Sequence, residues 1–320
     1  MHSSSTSDSQ YPDVASSQTL IELVNRCEAE LAASGVSFGH GTTHAHDEAA
    51  WLVLWSLQLP LDTQLDDPKE NEKSQANRPV SHMECAGAAS ILRARIHTRK
   101  PVAYLTKEAW LQGVAFYVDE RVIVPRSLIA ELLVNGGFDY WLHPSTHKVL
   151  DLCTGNGSLA VIAAKVFPDV SVVGSDLSAD ALDVARINVD KHALADRIQL
   201  LISDGLSAPD LKATGPFDLI LCNPPYVNAE SMAALPQEYL AEPLMALDGN
   251  YAGGRDGMDF IRCLLAQVPE HLAPGGVLVL EIGNERVHFE AAFPQLEVVW
   301  LQTSAGDDQI LLIPQDALPK

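Results

Sequence analysis

Beyond His147 the chain alternates short apolar runs with amphipathic stretches, and this alternation restricts the fold more than any other feature. The runs Lys148–Leu152, Val170–Ser175, Ile198–Ser203, Phe217–Cys222 and Val277–Ile282 have the length and β-branched content of buried strands. Helical spacing separates them, so the order predicts a doubly wound parallel sheet with helices on both faces, an α/β fold. Two later runs, Glu297–Leu301 and Gln309–Ile313, are joined through Ser304-Ala-Gly-Asp-Asp-Gln309. That link is too short for a crossover helix, which predicts an antiparallel pair at the end of a seven-stranded sheet.

Upstream the pattern differs. Residues 1–17 are Ser-rich and read as a disordered tail. Leu20, Leu23, Val24, Cys27 and Leu31 recur at helical spacing within Gln18–Ser34. A second helix is predicted after an Asp47 N-cap, running to about Leu59, and a third from Met83 to Thr98. The acid-rich stretch from Asp62 to His82 has almost no apolar residues and reads as a surface loop. These elements make residues 18–100 a helical domain. Aromatic and β-branched residues around Gly113 predict a β-hairpin linker over 101–126, and the sheet domain then occupies 127–320, opening with a helix over Ser127–Val134.

Composition narrows the function classes. The 320 residues carry 42 acidic and 21 basic side chains, a net charge of −21. Such a surface repels phosphate backbones and attracts basic proteins, so no direct nucleic-acid contact is expected. Five scattered cysteines, never in a C-x-x-C pair, fit a reducing compartment and argue against a disulfide framework or thiolate zinc site. No apolar run approaches a membrane span and the N-terminus has no signal-peptide pattern, which predicts a soluble, cytoplasmic protein with no membrane partner. His40, His44 and His46 lack a ligand periodicity, so capping or packing is expected and no metal. Trp51 and Trp55 share a helix face and are predicted to be core.

The first sheet strand runs into Asp151-Leu-Cys153-Thr154-Gly155-Asn156-Gly157, where glycines permit a tight turn and close ligand approach ahead of a helix N-terminus. Asp176, followed by Leu177, ends the second strand nineteen residues after Gly157, where a carboxylate can accept ribose hydroxyls. Asp204-Gly205 at the end of the third strand can face an adenine edge. A nucleoside-containing ligand follows. Asp151, four residues before the first turn glycine, suits an α-ammonium group and repels a pyrophosphate, which favours S-adenosylmethionine over NAD.

The fourth strand ends in Asn223-Pro224-Pro225-Tyr226. In an open α/β sheet this is where ligands gather. The Asn223 side-chain carbonyl and the Pro224 carbonyl are two acceptors for a planar –NH2 group, the prolines stiffen the turn, and Tyr226 offers a flat face. Two acceptors on one nitrogen turn its lone pair toward a methyl donor and neutralise developing charge. Cys153 and Cys222 flank these motifs, but no base accompanies either and both read as small buried spacers.

The Gly-rich turn with NPPY resembles the amino-methyltransferases that act on adenine in DNA or on glutamine in proteins. The stretch Tyr104-Leu-Thr…Trp110…Phe116-Tyr-Val-Asp-Glu-Arg121-Val-Ile-Val-Pro125-Arg126-Ser127…Glu131 is similar to the linker of the HemK-type glutamine methyltransferases. Its wording, with Gly39-His40-Gly41-Thr42…Asp47-Glu48-Ala49, resembles the branch acting on large-subunit ribosomal protein L-three, over about residues 18–315. The resemblance implies a Class I, Rossmann-like methyltransferase domain that uses S-adenosylmethionine. It implies a helical domain recognising a basic ribosomal protein, with Arg126 and Glu131 ordering the linker around the target glutamine. Gly205-Leu206 departs from the family, which often has a larger residue there, and the acidic loop at 62–78 has no counterpart. The alternatives are a release-factor methyltransferase, a DNA adenine methyltransferase disfavoured by charge, and a non-catalytic factor that binds ribosomal protein.

Overall fold

The computed structural model describes residues 14, 16–67, 69–143 and 146–318. The chain divides into two compact units, Met1–Lys107 with Pro236–Ala241, and Glu108–Leu235 with Glu242–Lys320. Most of the tail expected at 1–17 lies outside the described residues. Its end is packed: Val14 and Ser17 are buried, and the Ser17 hydroxyl donates to the Val14 carbonyl at 3.1 Å.

The first unit is built on helices α1 (Leu20–Ala33), α2 (Ala45–Ser56), α3 (His82–Thr98) and the single turn α4 (Val102–Thr106). The predicted stripe Leu20, Leu23, Val24, Cys27 and Leu31 is fully buried against Leu52, Val53, Ala88 and Leu92. Helix α2 starts at Ala45 with His44 as its cap, not after Asp47; the Asp47 carboxylate lies in the first turn, 3.2 Å from His44 Nε2, where it complements the helix dipole. Ser81 and Glu84 close a reciprocal capping box on α3. The 62–82 loop is mostly exposed, yet it is tied down where Ala76 and Arg78 carbonyls accept the first amides of α1. Trp51 packs against the core as predicted, whereas Trp55 is exposed.

Residues 236–241 belong to this unit because Glu238 is fully buried there. Its carboxylate takes Arg95 Nη1 at 3.3 Å and Arg99 Nε at 2.7 Å, while Arg95 Nε also reaches Glu48 at 2.7 Å. His40 packs at a tilt against Tyr239, ring centroids 4.3 Å apart, His44 pairs with Asp47 and His46 with Glu28. Each histidine is engaged separately, and no metal-binding cluster occurs among the described residues.

The second unit begins with the hairpin β1 (Glu108–Leu111) and β2 (Val114–Tyr117), turning at Gln112-Gly113. The expected linker at 101–126 is therefore three things in succession: the α4 turn, this hairpin, and a run to Arg126 that turns once over Asp119–Val122. A short helix α5 (Ile129–Asn135) precedes the sheet. Its strands β3 (Lys148–Leu152), β4 (Ser171–Asp176), β5 (Ile198–Ile202), β6 (Phe217–Cys222), β7 (Leu272–Glu281), β8 (Val299–Thr303) and β9 (Gly306–Pro314) are ordered 5-4-3-6-7-9-8. The first five are parallel; β9 inserts antiparallel between β7 and β8, as the short last connection requires. Helices α6 (Ser158–Val166), α7 (Ala179–Lys191), α8 (Pro209–Thr214), α9 (Ala229–Ala233), α10 (Asp259–Gln267) and α11 (Arg286–Ala292) complete the unit.

Alternate residues of each central strand serve two cores. Val149, Leu219, Leu221 and Val279 face one side, and Leu150, Ile220, Cys222 and Leu280 the other. Both faces are covered, which is why these strands read as continuous apolar runs. The chain runs outward from β3 to β4 in one direction and from β6 to β7 in the other, so the order reverses between β3 and β6. A crevice forms at the carboxyl ends of strands at such a reversal.

Candidate active site

Leu152 and Cys222 are register partners at the ends of β3 and β6, so the glycine turn and NPPY leave the sheet side by side. The turn reverses through positive φ at Cys153 (61°), Gly155 (54°) and Gly157 (78°). Gly157 also lies against α7, where a Cβ would come within 3.2 Å of Ala185 Cβ.

Asp151 sits under the turn, fully buried. Its Oδ2 accepts from the Thr154 hydroxyl at 2.5 Å and the Ala160 amide at 2.9 Å, whereas Oδ1 has no hydrogen-bond partner. Burial pushes its carboxyl up to about 7. Asp176 ties the end of β4 to the turn by accepting from the Gly155 and Ser178 amides, each at 2.9 Å, and burial raises its pKa too. Asn156 is held through its carbonyl by Asn188 Nδ2 at 2.9 Å.

A cavity of about 380 Å³ opens above this floor, within the range that encloses a small ligand. Cys153, Gly155, Asp176, Leu177, Asp204 and Gly205 line it on one side, and Asn223 and Pro225 on another. Asp151, Thr154, Asn156 and Gly157 do not reach the wall; they build the turn from below. All four belong to one loop, and the alternating φ signs put the Asp151, Thr154 and Asn156 side chains on its underside, where Asp151 Oδ1 and Asn156 Nδ2 have no hydrogen-bond partner.

Pro224, Tyr226 and Arg126 are also absent from this wall. Pro224 is buried and Tyr226 half-buried. The Tyr226 ring lies on Gly283, where a Cβ would stand 2.6 Å from Cε2 and 3.1 Å from the hydroxyl. Burial, reinforced by Glu281, holds that hydroxyl protonated. Glu281 receives the Ser127 hydroxyl, and burial pushes its carboxyl up to about 7. Arg126 grips the fully buried Glu242 carboxylate with Nη1 at 2.6 Å and Nη2 at 2.8 Å. It shapes the loop after NPPY. Glu131 bonds the Ser304 amide and hydroxyl at the β8–β9 turn, so it orders that turn and not the linker. Cys153 is half-buried at the cavity; a hydrogen bond with Cys222 and partial desolvation hold it as a neutral thiol.

Sequence reasoning missed the carboxylates around Tyr226. Glu285, for instance, accepts from Asn228 Nδ2 at 2.7 Å, and Asn228 caps α9. It also missed Arg121, Leu244, Met245, Tyr251 and Phe260 on the cavity wall. Phe260 stands beside Gly205, its ring 3.9 Å from where a Cβ would be, and supplies the bulk that the Gly205-Leu206 departure removes.

A family model described as Methyltransferase small domain matches residues 131–250, the span that holds the turn, β4 to β6 and NPPY. Relatives named ribosomal protein uL3 glutamine methyltransferase align over nearly the whole chain. The one from Bordetella pertussis is 48% identical over 302 residues, covering 94% of this chain and 96% of its own. That from Burkholderia pseudomallei is 47% identical over 307 residues with the same coverage, and that from Neisseria gonorrhoeae 42% over 302 residues, covering 94% and 95%. The chain belongs to the ribosomal protein uL3 glutamine methyltransferase family. It is a methyltransferase, and both units fall within the family alignment, since 94% of the chain is covered.

Proposed function

We propose that this enzyme methylates the side-chain amide nitrogen of a glutamine in ribosomal protein uL3, with S-adenosylmethionine as donor. The observation that carries the reading is the register of β3 with β6, which puts the glycine turn and Asn223 on one cavity. The names of the relatives supply the substrate. The donor fits the residues present: Asp151 Oδ1 is an orphaned buried acceptor for an ammonium, Asp176 and Asp204 suit ribose and adenine, and Phe260 and Leu177 offer apolar faces. Three acids in this region disfavour a pyrophosphate. Bound there, S-adenosylmethionine supplies a methyl group on a positively charged sulfur.

This chain's residues orient the acceptor. The Asn223 side-chain carbonyl and the Pro224 carbonyl take the two amide N–H bonds, and Tyr226 packs on the amide plane. The nitrogen lone pair would then point at the donor's methyl group, and both acceptors would stabilise the positive charge the nitrogen gains on methylation, with a neutral thioether as leaving group and one N–H proton shed to solvent. The turn Cys153–Gly157 with Asp151, Asp176, Leu177, Asp204 and Gly205 holds the donor. The net charge of −21 attracts a basic ribosomal protein and is repelled by assembled ribosomal RNA, so free or early-assembling uL3 is the proposed substrate form. Among the described residues no helix is long and apolar enough to cross a membrane, in keeping with a proposed cytoplasmic setting.

Radiolabelled transfer to uL3, a release factor and DNA offered side by side tests this. The expected label is on uL3 alone, greater on free protein than on intact ribosomes, and roughly 10²–10³-fold lower for Asn223→Ala with donor binding retained. Label on release factor refutes the substrate; no label with donor bound refutes catalysis.

A further inference from the structure

The donor proposed above carries a carboxylate as well as an ammonium group, and the residues given a role in holding the donor so far offer it nothing. Asp176, Asp204 and Asp248 on the wall are acids, which repel it. Among the described residues lining the cavity, Arg121 is the one cationic side chain.

Its placement is built. Asn188 exchanges hydrogen bonds with Tyr117, accepting from the Tyr117 amide at 2.7 Å and donating Nδ2 to its carbonyl at 2.9 Å. The same Nδ2 group donates to the Asn156 carbonyl at 2.9 Å. One buried side chain thus sutures the end of β2 to the glycine turn and brings Arg121, four residues further on, beside that turn. Asp119 then fixes the guanidinium: its Oδ1 accepts Arg121 Nε at 2.9 Å and its Oδ2 accepts Nη2 at 2.7 Å, while the Tyr117 hydroxyl and the Arg121 amide occupy the same carboxylate at 2.9 and 3.1 Å. Asp119 is buried and off the cavity wall, with both oxygens engaged on the hairpin side. Together with a hydrogen bond to the Tyr117 hydroxyl, these contacts engage three of the five guanidinium N–H groups, and the others can meet a carboxylate.

Resting on the donor reading above, we propose that Arg121 is the anchor for the α-carboxylate of the donor's methionine moiety, set in place by Asp119 and opposite in role to Asp151, which takes the ammonium. The two charged ends of the amino-acid portion are then held by side chains of opposite sign, and the methyl group is aimed at Asn223.

The test is calorimetric binding of S-adenosylhomocysteine and of 5′-methylthioadenosine, which lacks the amino-acid end, to wild type, Arg121→Ala and Arg121→Lys. Loss of charge-assisted hydrogen bonds at a partly exposed site is expected to weaken S-adenosylhomocysteine about tenfold to a hundredfold in Arg121→Ala. Methylthioadenosine should change by less than about twofold, which also shows that the variant is folded, and Arg121→Lys should fall between. Equal weakening of both ligands, or no weakening of S-adenosylhomocysteine, overturns the assignment. Wild-type protein that takes neither nucleoside overturns the donor reading, and the assignment with it.

Discussion

Gly283→Ala is the substitution that separates the placement of Tyr226 from everything else at the site. Gly283 follows β7 with φ of 53°, and its missing Cβ leaves room for the Tyr226 ring. A methyl group would meet Cε2 at 2.6 Å and Cζ at 3.0 Å, while ordinary contact begins near 3.4 Å, so the ring must retreat by roughly 0.8 Å. That retreat displaces the ring from the seat it holds after NPPY. A misplacement of about 1 Å in positioning groups costs on the order of 10²-fold in rate, and the left-handed φ adds about 1–2 kcal/mol of destabilisation for a non-glycine residue. For a domain of this size that is a fall of roughly 2–8 °C in Tm. Neither Gly283 nor Tyr226 lines the cavity, so donor affinity serves as an internal control. The expected result is kcat for uL3 methylation down on the order of 30- to 100-fold, donor Kd unchanged, and a modest Tm loss. A variant with the lower Tm but kcat within about twofold of wild type would refute the reasoning, since Tyr226 would then have moved without consequence.

Two further outcomes test the buried charges. Arg95→Met leaves Glu48 without its guanidinium and Glu238 with Arg99 alone, so the helical unit should lose about 3–5 kcal/mol in urea unfolding; a loss below about 1 kcal/mol would mean the network is dispensable. Asp151 is pushed up to about 7 in the fold against about 4 unfolded, so the native state binds the extra proton in between and ligand-free stability falls as pH rises from about 4 to 7. Glu281, also raised to about 7, adds to the same fall. An ammonium at Oδ1 favours the ionised carboxylate, so donor affinity should climb between about pH 5 and 7; Asp151→Asn should flatten that slope while Glu281's share of the stability change persists. A flat wild-type affinity profile would remove Asp151 from the donor site.

What the amino-acid order determined by itself is local. Strand length, the alternation of β and α patterns, the glycines of 153–157 and the prolines of 223–226 are each encoded within a few neighbouring residues, so the α/β sheet and the two loops that meet at its cavity were legible. So was the antiparallel ending, because seven residues cannot carry a crossover. Tertiary structure decided which of those loop residues line the cavity. Asp151 and Thr154 belong to the glycine turn yet lie beneath it, because Cys153, Gly155 and Gly157 reverse the backbone between them. Glu131 lies in α5, just past the linker, yet pins the β8–β9 turn, more than 170 positions away. Glu238 lies beyond the fourth sheet strand yet is buried against Arg95 of α3 and Arg99 just past its end. The ring seat at Gly283 and the fork of Arg121 arise only when β7 is in register with β6 and Asn188 joins the hairpin to the turn. Spacing along the chain carries no information on such pairs, because their energies depend on side-chain direction and burial set by packing between segments that the sequence keeps far apart.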